Sequence, residues 1–125
     1  MSEAPARLSI QQFAARTGLS ADTLRYYEKI GLLRQVARDA SGFRVYGPRD
    51  LEWVAFILRL KETGMALEDI TRYADLREQG EATLAARQVL LEAHAARLQA
   101  RLERDREHLD ALQAKIELYR QQTMA

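Results

Sequence analysis

The stretch Ser20-Ala21-Asp22-Thr23-Leu24-Arg25-Tyr26-Tyr27-Glu28-Lys29-Ile30-Gly31 decides the fold. Ser20 is a good N-cap, because its hydroxyl can accept from an orphan backbone N–H of the first turn. Gly31 suits the residue past the helix end, where left-handed backbone is needed. The spacing therefore predicts a helix from Ser20 to about Ile30. At 100° per residue, Leu24 and Tyr27 fall on one side and Asp22, Arg25, Tyr26 and Lys29 on the other. Upstream, Ser9-Ile10-Gln11-Gln12 reads as a capping box, and Ile10, Phe13 and Ala14 give the following helix one apolar face. Gly18 ends it in a short turn. Two short helices joined by a tight Gly-containing turn are a helix-turn-helix pattern.

A solvated face with two cations and a phenol, on the second helix of such a pair, fits a helix lying in a DNA major groove. Arginine can hold guanine or a phosphate, and Tyr and Lys hold phosphates. An ordinary solvated helix face satisfies the same pattern. Downstream, Asp39-Ala40-Ser41-Gly42 is turn-forming and is flanked by Val36 and by Phe43, Val45 and Tyr46, which predicts a β-hairpin. Alternation along its second strand puts Arg44 and Tyr46 on an outer face and Phe43 and Val45 inward. Arg34 and Arg38, expected on the first strand, have the same sign as Arg44. A hairpin directly after a helix-turn-helix is a wing.

Pro48 suits the first turn of a third helix running to Thr63, which Gly64 closes. That helix carries two apolar stripes: Leu51, Val54, Ala55 and Leu58, and Trp53, Phe56, Ile57 and Leu60. A fourth helix begins near Leu67, with Leu67, Ile70 and Ala74 as its inner stripe and Ala66 at a cap position it cannot fill. From Ala82 to Gln122 there is neither Gly nor Pro. Ala95, Leu102, Leu109 and Ile116 stand at heptad position a. Leu84, Leu91, Leu98, Asp105, Leu112 and Tyr119 stand at d, a coiled-coil seam with one polar break. A helix of about 40 residues is roughly 60 Å long, more than the rest of the chain can cover. The expectation is a homodimer.

The chain has 125 residues and no cysteine, so disulfides, thiolate metal sites and thiol switches are excluded. The expectation is no metal and no cofactor. His94 and His108 fall at heptad position g and read as rim residues. Net charge is +1, but residues 1–50 hold 8 Lys and Arg against 5 Asp and Glu. A polyanion is expected to dock at that end. No apolar run approaches the roughly 20 residues that span a bilayer, and the N-terminus has no signal-peptide core. The expected location is the cytoplasm, with no membrane partner. There is no Gly-rich phosphate loop and no nucleophile–base spacing, so an enzyme is not expected.

Together these motifs resemble the MerR-type transcriptional regulators. Thr23-Leu24-Arg25-Tyr26-Tyr27-Glu28-Lys29-Ile30-Gly31-Leu32-Leu33 is similar to their recognition-helix signature. Arg44-Val45-Tyr46 followed by Asp50-Leu51 resembles their wing-to-helix segment. Gly64-Met65-Ala66-Leu67-Glu68-Asp69-Ile70 resembles their second helical pair, usually with Ser where Ala66 stands. The resemblance runs from about Leu8 to Tyr119. Between Trp53 and Thr83 it is nearest the aldehyde- and nitrosative-stress-linked branch.

The resemblance implies a mainly α fold: a winged helix-turn-helix DNA-binding domain over residues 8–78, then a long antiparallel dimerisation coiled-coil helix over 82–122. It implies a dimeric, sequence-specific regulator that distorts double-stranded promoter DNA and works with RNA polymerase there. Arg25 and Tyr26 would contact DNA from the recognition helix, and Arg44 and Tyr46 from the wing. Arg16, Thr23 and Lys29 are further candidates, and Tyr27 is assigned to the core. An architectural or excisionase-like winged-helix protein without effector response is the alternative, and a pure protein-interaction coil is a third reading. If an effector exists, it is expected against Trp53, Phe56, Ile57, Leu60 and Tyr73, bound without metal or thiol chemistry.

Overall fold

A computed structural model describes residues 7–124. The chain separates into two compact units, one extending to Arg87 and the other starting at Gln88. In the first unit α1 spans Ile10–Thr17, α2 Ala21–Lys29, β1 Ala37–Arg38, β2 Arg44–Val45, α3 Pro48–Glu62 and α4 Leu67–Glu78. A 3-10 turn at Glu81–Thr83 leads into α5, Leu84–Thr123.

The helix ends follow their caps. Ser9 Oγ accepts from the Gln12 N–H at 3.2 Å, and Gln12 Oε1 accepts from the Ser9 N–H at 2.9 Å, a complete capping box. Gly18 stops α1 in left-handed backbone (φ 78°). Two residues later Ser20 Oγ accepts from the Thr23 N–H at 3.0 Å and starts α2. α1 packs on α2 and on α3, and α3 packs on α4. Phe13, Leu24, Tyr27, Leu32, Val54 and Ile57 are among the buried side chains of this core.

Two expectations about faces, and one about the length of the wing, are corrected. On α3 the buried residues are Trp53, Val54, Ile57 and Leu60. The stripe assigned to a ligand wall is therefore the more deeply buried one, and Ile57 and Leu60 belong to the core. On α4 Ile70 and Ala74 are buried, but Leu67 is exposed at the first turn. Ala66 makes no side-chain cap bond there. The wing is shorter than the sequence pattern suggests: β1 and β2 pair antiparallel over Ala37↔Val45 and Arg38↔Arg44. Its turn is held by Asp39 Oδ1, which accepts from the backbone N–H groups of Ser41 (2.9 Å) and Phe43 (3.0 Å).

Beyond Gln88 the second unit is a single straight run of helix. Leu102, Leu109, Leu112, Ile116 and Tyr119 of the a/d seam are exposed, and so is Asp105. His108 is exposed as a rim position would be, whereas His94 is buried. Among the described residues no helix is long and apolar enough to cross a membrane.

Candidate nucleic-acid interface

Helix α2 divides as its periodicity requires. Leu24 and Tyr27 are buried, and the Tyr27 hydroxyl accepts from Lys61 Nζ of α3 at 2.9 Å. Arg25, Tyr26 and Lys29 face outward, with Tyr26 51% exposed. Arg25 Nη1 pairs with Asp22 Oδ1 at 3.0 Å across one turn. Such an exposed pair is worth little and yields readily to a phosphate or a base edge. Thr23 is half-buried at the start of α2, its Oγ1 accepting from Ser20 Oγ at 2.9 Å. Arg16 is exposed in the last turn of α1 and lines a small concavity with Leu51, Ala55 and Leu58 of α3.

The two residues expected on the wing are placed differently. Arg44 is half-buried, and its Nε donates to Glu28 Oε2 of α2 at 2.6 Å. The bond occupies one of five N–H donors and leaves the Nη edge of the guanidinium. Tyr46 is corrected: it is 1% exposed and belongs to the core. Its ring stacks on Phe13 with centroids 4.2 Å apart and planes 4° from parallel. Its backbone exchanges two hydrogen bonds with Leu8, at 2.8 and 2.9 Å. That bridge to the segment before α1 turns Tyr46 inward, beyond the end of β2. The face assignment inverts with it, and Phe43 is 71% exposed. Burial pushes the Tyr46 phenol above its ordinary pKa, and the Glu28 carboxylate adds to the shift.

The start of α1, the face of α2 and the wing enclose a concavity of about 730 Å³. Arg25 and Arg44 both line it, as do Arg7, Gln11, Gln12 and Arg38. Arg38 is tied to the turn by its Nη1, which donates to the Gly42 carbonyl at 2.9 Å. Arg7 and Gln11 escaped sequence reasoning, since residues at the mouth of a first helix carry no periodic signal that points to a second.

Arg34 is corrected as well. It precedes β1 and turns away from the concavity. Its guanidinium donates to Glu78 and Asp75 of α4, and Nε donates to the Gly31 carbonyl at 2.6 Å. Gly31 has φ 85°, which favours glycine, and a Cβ there would stand a tight 3.2 Å from Arg34 Nη2. The hydrogen bonds to Glu78 and Asp75 raise the Arg34 pKa further.

Of the expected effector residues, the structure brings together Trp53, Phe56 and Tyr73. They line a cavity of about 370 Å³ with Glu52, Arg49, Arg77 and Arg87. Trp53 is mostly buried and its indole N–H donates to the Leu32 carbonyl at 2.7 Å.

This arrangement matches known proteins over most of the chain. The model for the MerR HTH family regulatory proteins fits residues 8–76, and that described as MerR, DNA binding, fits 51–119. A Haemophilus influenzae protein named as an uncharacterized HTH-type transcriptional regulator is 38% identical over 106 residues, covering 85% of this chain and 78% of that one. The HTH-type transcriptional regulator AdhR of Bacillus subtilis is 38% identical over 91 residues, covering 73% of this chain and 65% of its own length. The crystal structure of HiNmlR, a MerR family regulator lacking the sensor domain, bound to promoter DNA, superposes with a TM-score of 0.83 at 34% identity. That match covers 93% of this chain and 92% of the other. The relatives and the fold are those of transcription regulators and not of an enzyme. With its helix-turn-helix, its two-stranded wing and its long last helix, the chain belongs to the MerR family of DNA-binding transcriptional regulators.

Proposed function

We propose that this regulator acts as a homodimer on an overlong promoter spacer, which it bends and untwists in the cytoplasm so that RNA polymerase can engage. The observation that carries the reading is the shared concavity of Arg25 and Arg44. One residue comes from the groove face of α2 and the other from the wing, and Glu28 fixes their spacing. In this reading Arg25 and Tyr26 enter the major groove, and Arg44 holds a phosphate beside it. Lys29, Thr23 and Arg16 add backbone contacts. Deformation of the spacer is driven by those contacts and is read indirectly, through its stiffness.

Two copies pair antiparallel along the a/d seam of α5, the dimerisation segment spanning residues 82–122, and the DNA-binding domain occupies 8–78. The exposed leucines of that seam support the pairing, since a helix this apolar along one stripe needs a partner in water. The test is footprinting on fragments upstream of the gene and its neighbours, with permanganate as a probe of untwisted spacer bases. A two-fold footprint with reactive central thymines is expected. Sequence-independent coverage would leave only the architectural alternative.

A further inference from the structure

We propose that the cavity between α3 and α4 binds a small planar carboxylate, an aromatic acid being the simplest case, and that this ligand is the effector. The proposal rests on the regulator reading above.

The cavity has about 370 Å³, enough for a single-ring molecule and at the low end for small-ligand sites. Its wall is aromatic. Trp53 and Tyr73 are near-parallel with centroids 5.9 Å apart, and Phe56 packs on both, 5.5 Å from Tyr73 and 6.4 Å from Trp53. Three rings in mutual contact form a stiff aromatic wall.

The rim is cationic. Arg49, Arg77 and Arg87 converge on the cavity against one carboxylate, Glu52. Three arginines of this unit are paired with acids: Arg25 with Asp22, Arg44 with Glu28, and Arg34 with Asp75 and Glu78. Among the described residues none of the three rim arginines makes an ion pair. Two of them are nevertheless held in place. The Arg77 guanidinium carbon lies over the Trp53 ring, 4.3 Å from its centroid. Arg87 donates from Nε to Thr83 Oγ1 and from Nη2 to the Gly80 carbonyl, both at 3.1 Å. A guanidinium already fixed in direction and short of an anion is the half of a bidentate carboxylate pair that a protein can supply. A neutral ring would leave that charge unanswered, and an acid without a ring would leave the aromatic wall bare.

The same arginines give the ligand a lever. Gly80 stands in left-handed backbone (φ 85°) after α4, and Thr83 Oγ1 donates to its carbonyl at 2.8 Å. Arg87 completes this knot. A carboxylate that draws on Arg87 competes directly with the hydrogen bonds that hold the α4–α5 joint.

The full-length protein is titrated calorimetrically with benzoate, benzyl alcohol and acetate. Benzoate is expected to bind at least about tenfold more tightly than either control. Arg77→Gln and Arg49→Gln, each checked for native circular dichroism, are expected to weaken benzoate by about tenfold. Arg120→Gln, at the far end of α5, is expected to leave it unchanged. Trp53, the only tryptophan, gives an independent optical readout. Benzyl alcohol binding as tightly as benzoate, or no benzoate binding at all, would overturn the proposal. Operator footprinting on the same preparation separates the cases: a protein that footprints but ignores benzoate sinks the ligand site alone, and one that does not footprint sinks the regulator reading.

Discussion

Glu28 on α2 accepts from the Arg44 guanidinium of the wing at 2.6 Å, across sixteen residues of chain. Both side chains are about one-third exposed or less, so the desolvation cost of the charges offsets much of their attraction. The effect of the pair is orientation: the recognition helix and the wing move as one piece.

Arg44→Ala should therefore lower operator affinity by about tenfold, the loss of one phosphate contact, and reduce the salt dependence by about one counterion. Glu28→Gln should cost less, because the arginine keeps its charge and loses only its alignment. Anisotropy titrations of labelled operator over a salt series measure both. An unchanged salt slope for Arg44→Ala would place that residue off the DNA.

Arg25→Ala should cost about 1–3 kcal/mol of specific binding, and Arg120→Ala close to nothing. Arg25 lies on the outward face of α2, and its pairing with Asp22 is exposed and easily exchanged. Equal affinities for the two variants at fixed salt would remove α2 from the interface.

Tyr46 separates a packing role from a DNA-contact role. Tyr46→Ala should lose about 3–5 kcal/mol of stability, since it empties the ring stack on Phe13. Tyr46→Phe should fold and bind operator almost as wild type does. The phenol also predicts an alkaline effect. Its folded-state pKa lies above the ordinary value near about 10, because burial disfavours the phenolate. The contribution is thus complete below about pH 10 and is lost as pH rises through the folded-state pKa. Urea melts across that range should show a shallower alkaline loss for Tyr46→Phe than for wild type.

Replacing Leu102 and Leu109 together with Lys should give monomers that retain helix-turn-helix structure but bind operator weakly. Both side chains are exposed in the single chain, so the change harms association and not the fold of the first unit. Sedimentation velocity at micromolar concentration reads the outcome, and a monomeric wild type would contradict the dimer.

Much of this was legible in the sequence because caps and helical periodicity are local. Ser9, Gln12, Gly18 and Ser20 mark the ends of α1 and α2, and Leu24 and Tyr27 are separated from Arg25 and Tyr26 by angle alone. The wing departs from simple alternation because its strand is only two residues long, so Phe43 and Tyr46 both lie outside it. The strand ends at Val45, and the bridge to Leu8, 38 residues upstream of Tyr46, decides where the phenol goes. Arg34 was misread for the same reason, since its acid partners lie 41 and 44 residues away. The cavity arginines did leave a trace. Arg49 precedes Trp53 by one helical turn on α3, and Arg77 follows Tyr73 by one turn on α4. Basic–aromatic pairs at that spacing share a face, but which two faces meet is a tertiary fact.

Asp105 interrupts an otherwise apolar seam. When two α5 helices associate, its carboxylate must end opposite something small, polar or cationic in the partner. A related subunit presenting a large aliphatic side chain there would strand a desolvated carboxylate at each mismatched crossing. In the proposed dimer, one aspartate per helix therefore selects against partners whose seam is aliphatic at that crossing.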